Sequence, residues 1–159
     1  MLFRSEPRAH DGFWMKTAYR VPTAAFPGAR FASQETAETT PITEILINSL
    51  ITSHYNGARL ARGRRAEISG WAWDGGSGIG AVDVSTDGRV TWRTTNLGKD
   101  LGRFAWRRFT TTVDTSVGGR VRISVRATSR AGARQPEKLT ANPAGYHHNI
   151  IQTLDLEVE

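Results

Sequence analysis

Cysteine is absent from all 159 residues. That absence excludes a disulfide framework, a thiolate zinc site, an iron–sulfur cluster and a cysteine nucleophile. Long apolar runs are missing as well. The longest candidate, residues 45–51, is interrupted by Asn48 and Ser49 and falls far short of the roughly 18 residues a membrane span needs. A soluble chain with no membrane partner is the expectation. Residues 1–11 carry Arg4, Glu6, Arg8 and Asp11 without an apolar core, so they do not read as a secretory signal.

Catalytic patterns are lacking too. Asp74, Asp83 and Asp87 are carboxylates at turns or on a solvent-facing parity, and turn formation accounts for Asp74 and Asp87. Ser, His and Asp occur without a nucleophile elbow. The glycine-rich run Gly75-Gly76-Ser77-Gly78 has no Walker lysine and leads into a strand, so it reads as a hairpin turn. His147 and His148 are adjacent, and neighbours on a strand face opposite ways and rarely grip one ion; His10 and His54 stand alone. No catalytic, cofactor-binding or metal-ligating residue is assigned.

What is present is basic and strand-like. Lys and Arg number 21 against 15 Asp and Glu, a net charge of +6. Arg59, Arg62, Arg64 and Arg65 cluster, and Arg120, Arg122 and Arg126 line one strand face. Aromatics are not interleaved among them as base-stacking platforms require, which argues against a nucleic-acid partner. A field of this sign suits steering toward an acidic partner.

Four of the six prolines fall in residues 1–41, which forbids a long helix there. This arm still holds Phe13, Trp14, Met15, Tyr19, Phe26 and Phe31, too many apolar groups to stay solvated. Strand periodicity follows over 43–53, 67–73, 79–85, 90–95, 104–113, 120–127 and 149–159. The clearest alternation puts Val121, Ile123, Val125 and Ala127 on one face and arginines on the other. In the last run Ile150, Leu154, Leu156 and Val158 take one side, and Ile151, Thr153, Asp155 and Glu157 the other. About seven strands, punctuated by Gly, Asp, Asn and Pro and with no convincing helix, predict an all-β fold: an immunoglobulin-like antiparallel β-sandwich behind an irregular N-terminal arm. The domains are residues 1–41, the arm, and 42–159, the sandwich. Trp71 and Trp73 share a strand face, with Trp92 and Trp106 expected on neighbouring strands. Core or subunit interface is the preferred reading for these indoles over a glycan platform.

Specific runs then appear in order. Ile68-Ser69-Gly70-Trp71-Ala72-Trp73-Asp74-Gly75-Gly76 is followed by Ser85-Thr86-Asp87-Gly88-Arg89-Val90-Thr91-Trp92, Trp106-Arg107-Arg108-Phe109, Val125-Arg126-Ala127-Thr128, Gln135-Pro136-Glu137, and Asn142-Pro143-Ala144-Gly145-Tyr146 with Asn149. Together they resemble the C-terminal domain of the sulfite oxidase family of molybdenum enzymes, nearest its bacterial sulfite dehydrogenase and sulfane dehydrogenase-like branch. Residues 11–22, with Trp14, Met15, Tyr19 and Arg20, resemble the exit from that family's cofactor domain. The resemblance implies a non-catalytic homodimerisation domain attached to a separate molybdopterin domain in which a cysteine ligates molybdenum. This chain, with no cysteine, is then not an enzyme by itself and holds no cofactor. Trp14, Met15, Tyr19, Arg20, Trp106, Arg107, Tyr146 and Asn149 are the implied contacts with a partner copy or the cofactor domain. The resemblance also implies a cytochrome electron acceptor and a periplasmic location.

Two alternatives accompany it: a subunit of a split enzyme whose molybdopterin domain is a separate chain, and a free-standing glycan- or anion-binding module. There are two departures from the family pattern. Arg89 stands where the family has a glycine, the residue that takes positive φ at least cost. Ala144 stands where the animal enzymes carry an arginine that helps hold the substrate anion, so that role does not transfer.

Overall fold

Each alternating run becomes a strand because it can bury one face and solvate the other. The structure, a computed structural model, describes residues 7–24, 36–63, 65–139, 142 and 144–159. In chain order they form a helical turn α1 (Phe13–Lys16) and strands β1 (Arg20–Pro22), β2 (Thr39–Pro41), β3 (Asn48–Ile51), β4 (Arg59–Leu60), β5 (Ala66–Trp73), β6 (Ile79–Ser85), β7 (Arg93–Thr94), β8 (Asn96–Leu97), β9 (Arg107–Val113), β10 (Gly119–Ser129) and β11 (Gln152–Val158). Arg4, Glu6, Phe26, Pro27, Phe31, Arg64 and Pro143 lie outside the described residues. The chain divides into two compact units, Met1–Glu44 with Thr140–His148, and Ile45–Leu139 with Asn149–Glu159. The segment carrying Tyr146 belongs to the first of these units.

In the first unit the helix runs for one turn only. The Gly12 carbonyl accepts the N–H groups of Met15 and Lys16, and four residues cannot sustain more without tertiary support. β1 pairs antiparallel with β2, Arg20 opposite Pro41. The Arg20 guanidinium fastens this ribbon by donating to Thr39 Oγ1 at 2.8 Å, Thr39 O at 2.5 Å and Met15 O at 2.7 Å.

The second unit is the sandwich. One sheet has the order β3-β5-β9-β8 and the other β4-β11-β10-β6-β7. Pairing is antiparallel except between β11 and β4, and this two-sheet order is the immunoglobulin arrangement. The inner faces supply Ile68, Ala72, Val82, Val84, Phe109, Ile123, Val125 and Leu156, all buried. Phe109 is seated over Gly70: a Cβ there would fall against the Leu50 carbonyl and the Phe109 ring. A side chain at that point would push the β3 backbone and the largest core residue aside.

Gln135 ties the two sheets together. Its buried Oε1 accepts from Ser49 Oγ at 2.5 Å and from the Ala127 N–H at 2.8 Å. Its Nε2 donates to Asn48 Oδ1 at 2.8 Å and to the carbonyls of Asn149 and Ile150. Ser49 and Asn48 belong to β3 and Ala127 to β10, so one amide bridges both layers.

The turns follow the sequence reading of Asp74 and Asp87. Asp74 Oδ2 accepts the N–H groups of Gly76, Ser77 and Gly78, closing the glycine-rich run as a β5–β6 turn. Burial raises its pKa, but the Ser77 hydroxyl and these N–H groups outweigh burial and hold it below the ordinary carboxylate value. Asp87 does more, and shortens a strand. Its carboxylate accepts the N–H groups of Val90 and Thr91 at 3.0–3.1 Å. Those donors are then lost to any ladder, so the strand expected over 90–95 survives only as Arg93–Thr94. Arg89 takes φ 74°, the glycine conformation, without being glycine.

Three further expectations are corrected. The run 43–53 pairs only over Asn48–Ile51. Ile151, assigned to the solvent side, is 2% exposed. It precedes the first ladder residue, Gln152, and its N–H goes to the Pro136 carbonyl, so strand parity does not govern it. Trp92 lies outside the strands and sits on the other sheet, beneath the Arg126 guanidinium at 4.1 Å.

Candidate interface

The two outward sheet faces differ in chemistry. On the five-stranded sheet, register places Arg122 opposite Asp155, Ser124 opposite Thr153 and Arg126 opposite Asp83. The charges are consumed locally. Asp155 accepts from Arg120 at 2.5 Å and Arg122 at 2.8 Å, and Arg126 meets Asp83 at 3.4 Å. Arg89 lies across the middle, donating to Thr153 Oγ1 at 2.8 Å, the Ile151 carbonyl at 3.3 Å and Ser124 Oγ at 3.4 Å. The arginine stripe seen in the sequence is therefore an ion-paired surface. The Asp155 carboxyl is held down to about 2, first by the Arg122 hydrogen bond and then by Arg120.

The four-stranded sheet presents aromatic surface instead. β5 alternates, with Ile68, Gly70 and Ala72 inward and Glu67, Ser69, Trp71 and Trp73 outward. Trp71 is flanked by Leu50 on β3 and Arg108 on β9. Trp71 is 39% exposed, Leu50 37% and Trp106 55%. Trp73 and Trp106 stack at 4.4 Å with planes 16° apart, so their indoles present one broad apolar plate. Arg108 reaches Glu67 at 3.8 Å. None of these three indoles is core.

The eight residues named from the sequence separate into two groups. Trp14, Met15, Tyr19, Arg20 and Tyr146 come together in the first unit. There Trp14 packs on Tyr19 with ring centres 5.4 Å apart, and Tyr19 on Tyr146 at 5.6 Å. Trp14 remains 57% exposed. Tyr19, Arg20, Ala144 and Tyr146 also border a cavity of about 290 Å³. Trp106, Arg107 and Asn149 belong to the sandwich. Arg107 has a structural task, bonding the Ile79 carbonyl at 2.8 Å and pairing with Asp100 at 3.6 Å. Asn149 Nδ2 likewise donates to the Ile47 carbonyl at 3.2 Å. Leu50, Trp71, Trp73 and Arg108 are members of the exposed sheet face that are absent from those eight residues. The alternation of β5 contained the signal for Trp71, but only the register brings Leu50 and Arg108 beside it.

A molybdenum centre does not fit these side chains. The sequence has no thiolate to ligate the metal, and among the described residues no three His, Asp or Glu side chains gather as a metal-binding group.

Among solved structures, the chain is similar to the sulfane dehydrogenase SoxCD from Paracoccus pantotrophus, with TM-score 0.69 and 25% identity over 96% of this chain. It spans 40% of that chain's length. An engineered protein matches at TM-score 0.42 and 18% identity over 71% of this chain and 20% of its own. The SrpA adhesin from Streptococcus sanguinis matches at TM-score 0.41 and 13% identity over 72% of this chain and 58% of its own. These two likenesses add nothing to the assignment. No curated protein matches. The model of the Mo-co oxidoreductase dimerisation domain matches residues 39–158, covering nearly all the strands described above. The chain belongs to the Mo-co oxidoreductase dimerisation domain family, a non-catalytic part of molybdenum oxidoreductases.

Proposed function

We propose that this chain is the homodimerising portion of a molybdenum oxidoreductase of the sulfite oxidase type, on the sulfane dehydrogenase-like branch. The observation that carries the reading is the family match over 39–158, joined to the likeness to SoxCD over 96% of the chain. The catalytic work belongs to a molybdopterin-holding domain or subunit, because this sequence supplies no thiolate for the metal. A periplasmic parent enzyme that hands electrons to a cytochrome accompanies this reading, supported by the resemblance to bacterial dehydrogenases. The missing arginine at Ala144 also favours that branch over the animal enzymes.

Light scattering on the purified chain across a hundredfold range of concentration tests the dimerising role. The expected result is a mass that rises to twice the chain mass. A chain mass at every concentration overturns it.

A further inference from the structure

We propose that the outward face of the four-stranded sheet, centred on Leu50, Trp71, Trp73 and Trp106, is the surface on which a second copy of this chain docks. The inference rests on the dimerising reading above and adds the surface that performs it.

A sandwich offers two sheet faces, and among the described residues the four-stranded one carries the larger cluster of exposed apolar side chains. The five-stranded face has already spent its groups on itself: Asp155 with Arg120 and Arg122, Asp83 with Arg126, and Arg89 bonded to Ser124 and Thr153. Its indole, Trp92, is roofed by Arg126. Docking there would strip water from many charged groups for little apolar gain. The four-stranded face instead gathers Leu50 on β3, Trp71 and Trp73 on β5, and Trp106 just before β9, large side chains of the kind that supply most of the binding energy at protein interfaces. Ser69, Thr110 and Thr112 continue the same outward face beyond Trp71, giving an apolar centre with a polar border.

Charge selects the occupant. Two copies of a chain with net charge +6 repel, so contact costs least where the local charge is zero. The outward side chains of β3, β5 and β9 carry one acid, Glu67, and one base, Arg108. In a two-fold dimer a face meets itself, and residue i contacts j while j contacts i. Glu67 and Arg108 lie 3.8 Å apart within one copy, so the face is already neutral, and across a two-fold the same two groups can exchange partners between copies without adding net charge. An acidic partner would find a single cation here, and a basic one a single anion.

Sedimentation velocity on the full chain and three variants decides the matter, with circular dichroism confirming that each is folded. Trp71→Glu and Leu50→Lys place a charge at the centre of the face on side chains that are already partly solvated. Each should weaken the dimer about 30-fold or more, as expected for loss of a central anchor. Arg122→Ala, on the opposite sheet, should leave the dimer unchanged. If the unmodified chain dimerises and both Trp71→Glu and Leu50→Lys dimerise equally well, the surface is wrong while the dimerising role stands. If Arg122→Ala alone dissociates the dimer, the interface lies on the other sheet. An unmodified chain that never dimerises overturns the dimerising role, and this inference with it.

Discussion

Arg89 shows how a single residue can hold a conformation it does not favour. A φ of 74° costs a residue with a Cβ about 1 kcal/mol relative to glycine. The side chain offsets that cost by crossing the sheet to Thr153, Ser124 and the Ile151 carbonyl, and the backbone N–H finds Ser85 Oγ at 2.9 Å. Next to it, Asp87 keeps the turn closed. The Thr91 hydroxyl, above all, holds its carboxyl down to about 2. Two substitutions separate the backbone cost from the side-chain gain. Arg89→Ala keeps the positive φ and loses every side-chain bond, whereas Arg89→Gly loses the same bonds but is at ease with the angle. The alanine variant should be the least stable of the three proteins, below the glycine variant by about 1 kcal/mol in urea unfolding. Equal stability of the two variants would show that the angle carries no cost. The sequence marked this position as unusual, because arginine replaces a glycine there, but gave no sign of the compensation, since Thr153 is 64 residues away along the chain.

Among the elements, β10 and β11 show what periodicity can and cannot reveal. The alternation at 120–127 located β10 to within two residues at each end, because one buried face forces every second side chain inward. Where backbone donors are captured by something other than a neighbouring strand, alternation misleads. Asp87 truncates the 90–95 run in that way, and Pro136 holds Ile151 before β11 begins. The candidate face was half legible for the same reason: Trp71 and Trp73 follow from parity on β5, whereas Leu50 and Arg108 join them only through cross-strand register.

The β10–β11 pair also carries a testable pH dependence. Asp155 on β11 titrates near 2 in the folded chain because Arg122 and Arg120 on β10 bond its charged form, while an unfolded aspartate titrates at about 3.9. A depressed folded pKa means that the unfolded state binds the proton more readily. The contribution is fully present above the unfolded value and is lost as pH falls from about 4 through about 2. Asp155→Asn should therefore lower the melting temperature at pH 6 and leave it closer to that of the unmodified protein at pH 2. A melting-temperature gap that does not narrow across that window would mean the two arginines contribute nothing through this carboxylate. Asp87 titrates in the same range and remains in both proteins, so the comparison between them isolates Asp155.

At the scale of the whole molecule, charge and apolar area act in opposite directions. The net charge of +6 opposes self-association, and the indoles of the four-stranded face favour it. Salt screens the first and leaves the second largely intact, so dimerisation should strengthen from low to physiological ionic strength. Association that occurs only in the folded state stabilises that state by mass action, and the melting temperature then depends on protein concentration. For a chain of this size each tenfold increase should raise it by about 2 °C, since half the tenfold linkage energy falls on each protomer. In Trp71→Glu, whose dimer is weakened about 30-fold or more, the dependence should set in only at correspondingly higher concentration. Calorimetric scans of both proteins over two decades of concentration distinguish the cases. A melting temperature that rises equally in both places the stabilising contact away from the tryptophan face, whereas one that rises from lower concentration in the unmodified chain makes burial of Trp71 part of what holds two copies together.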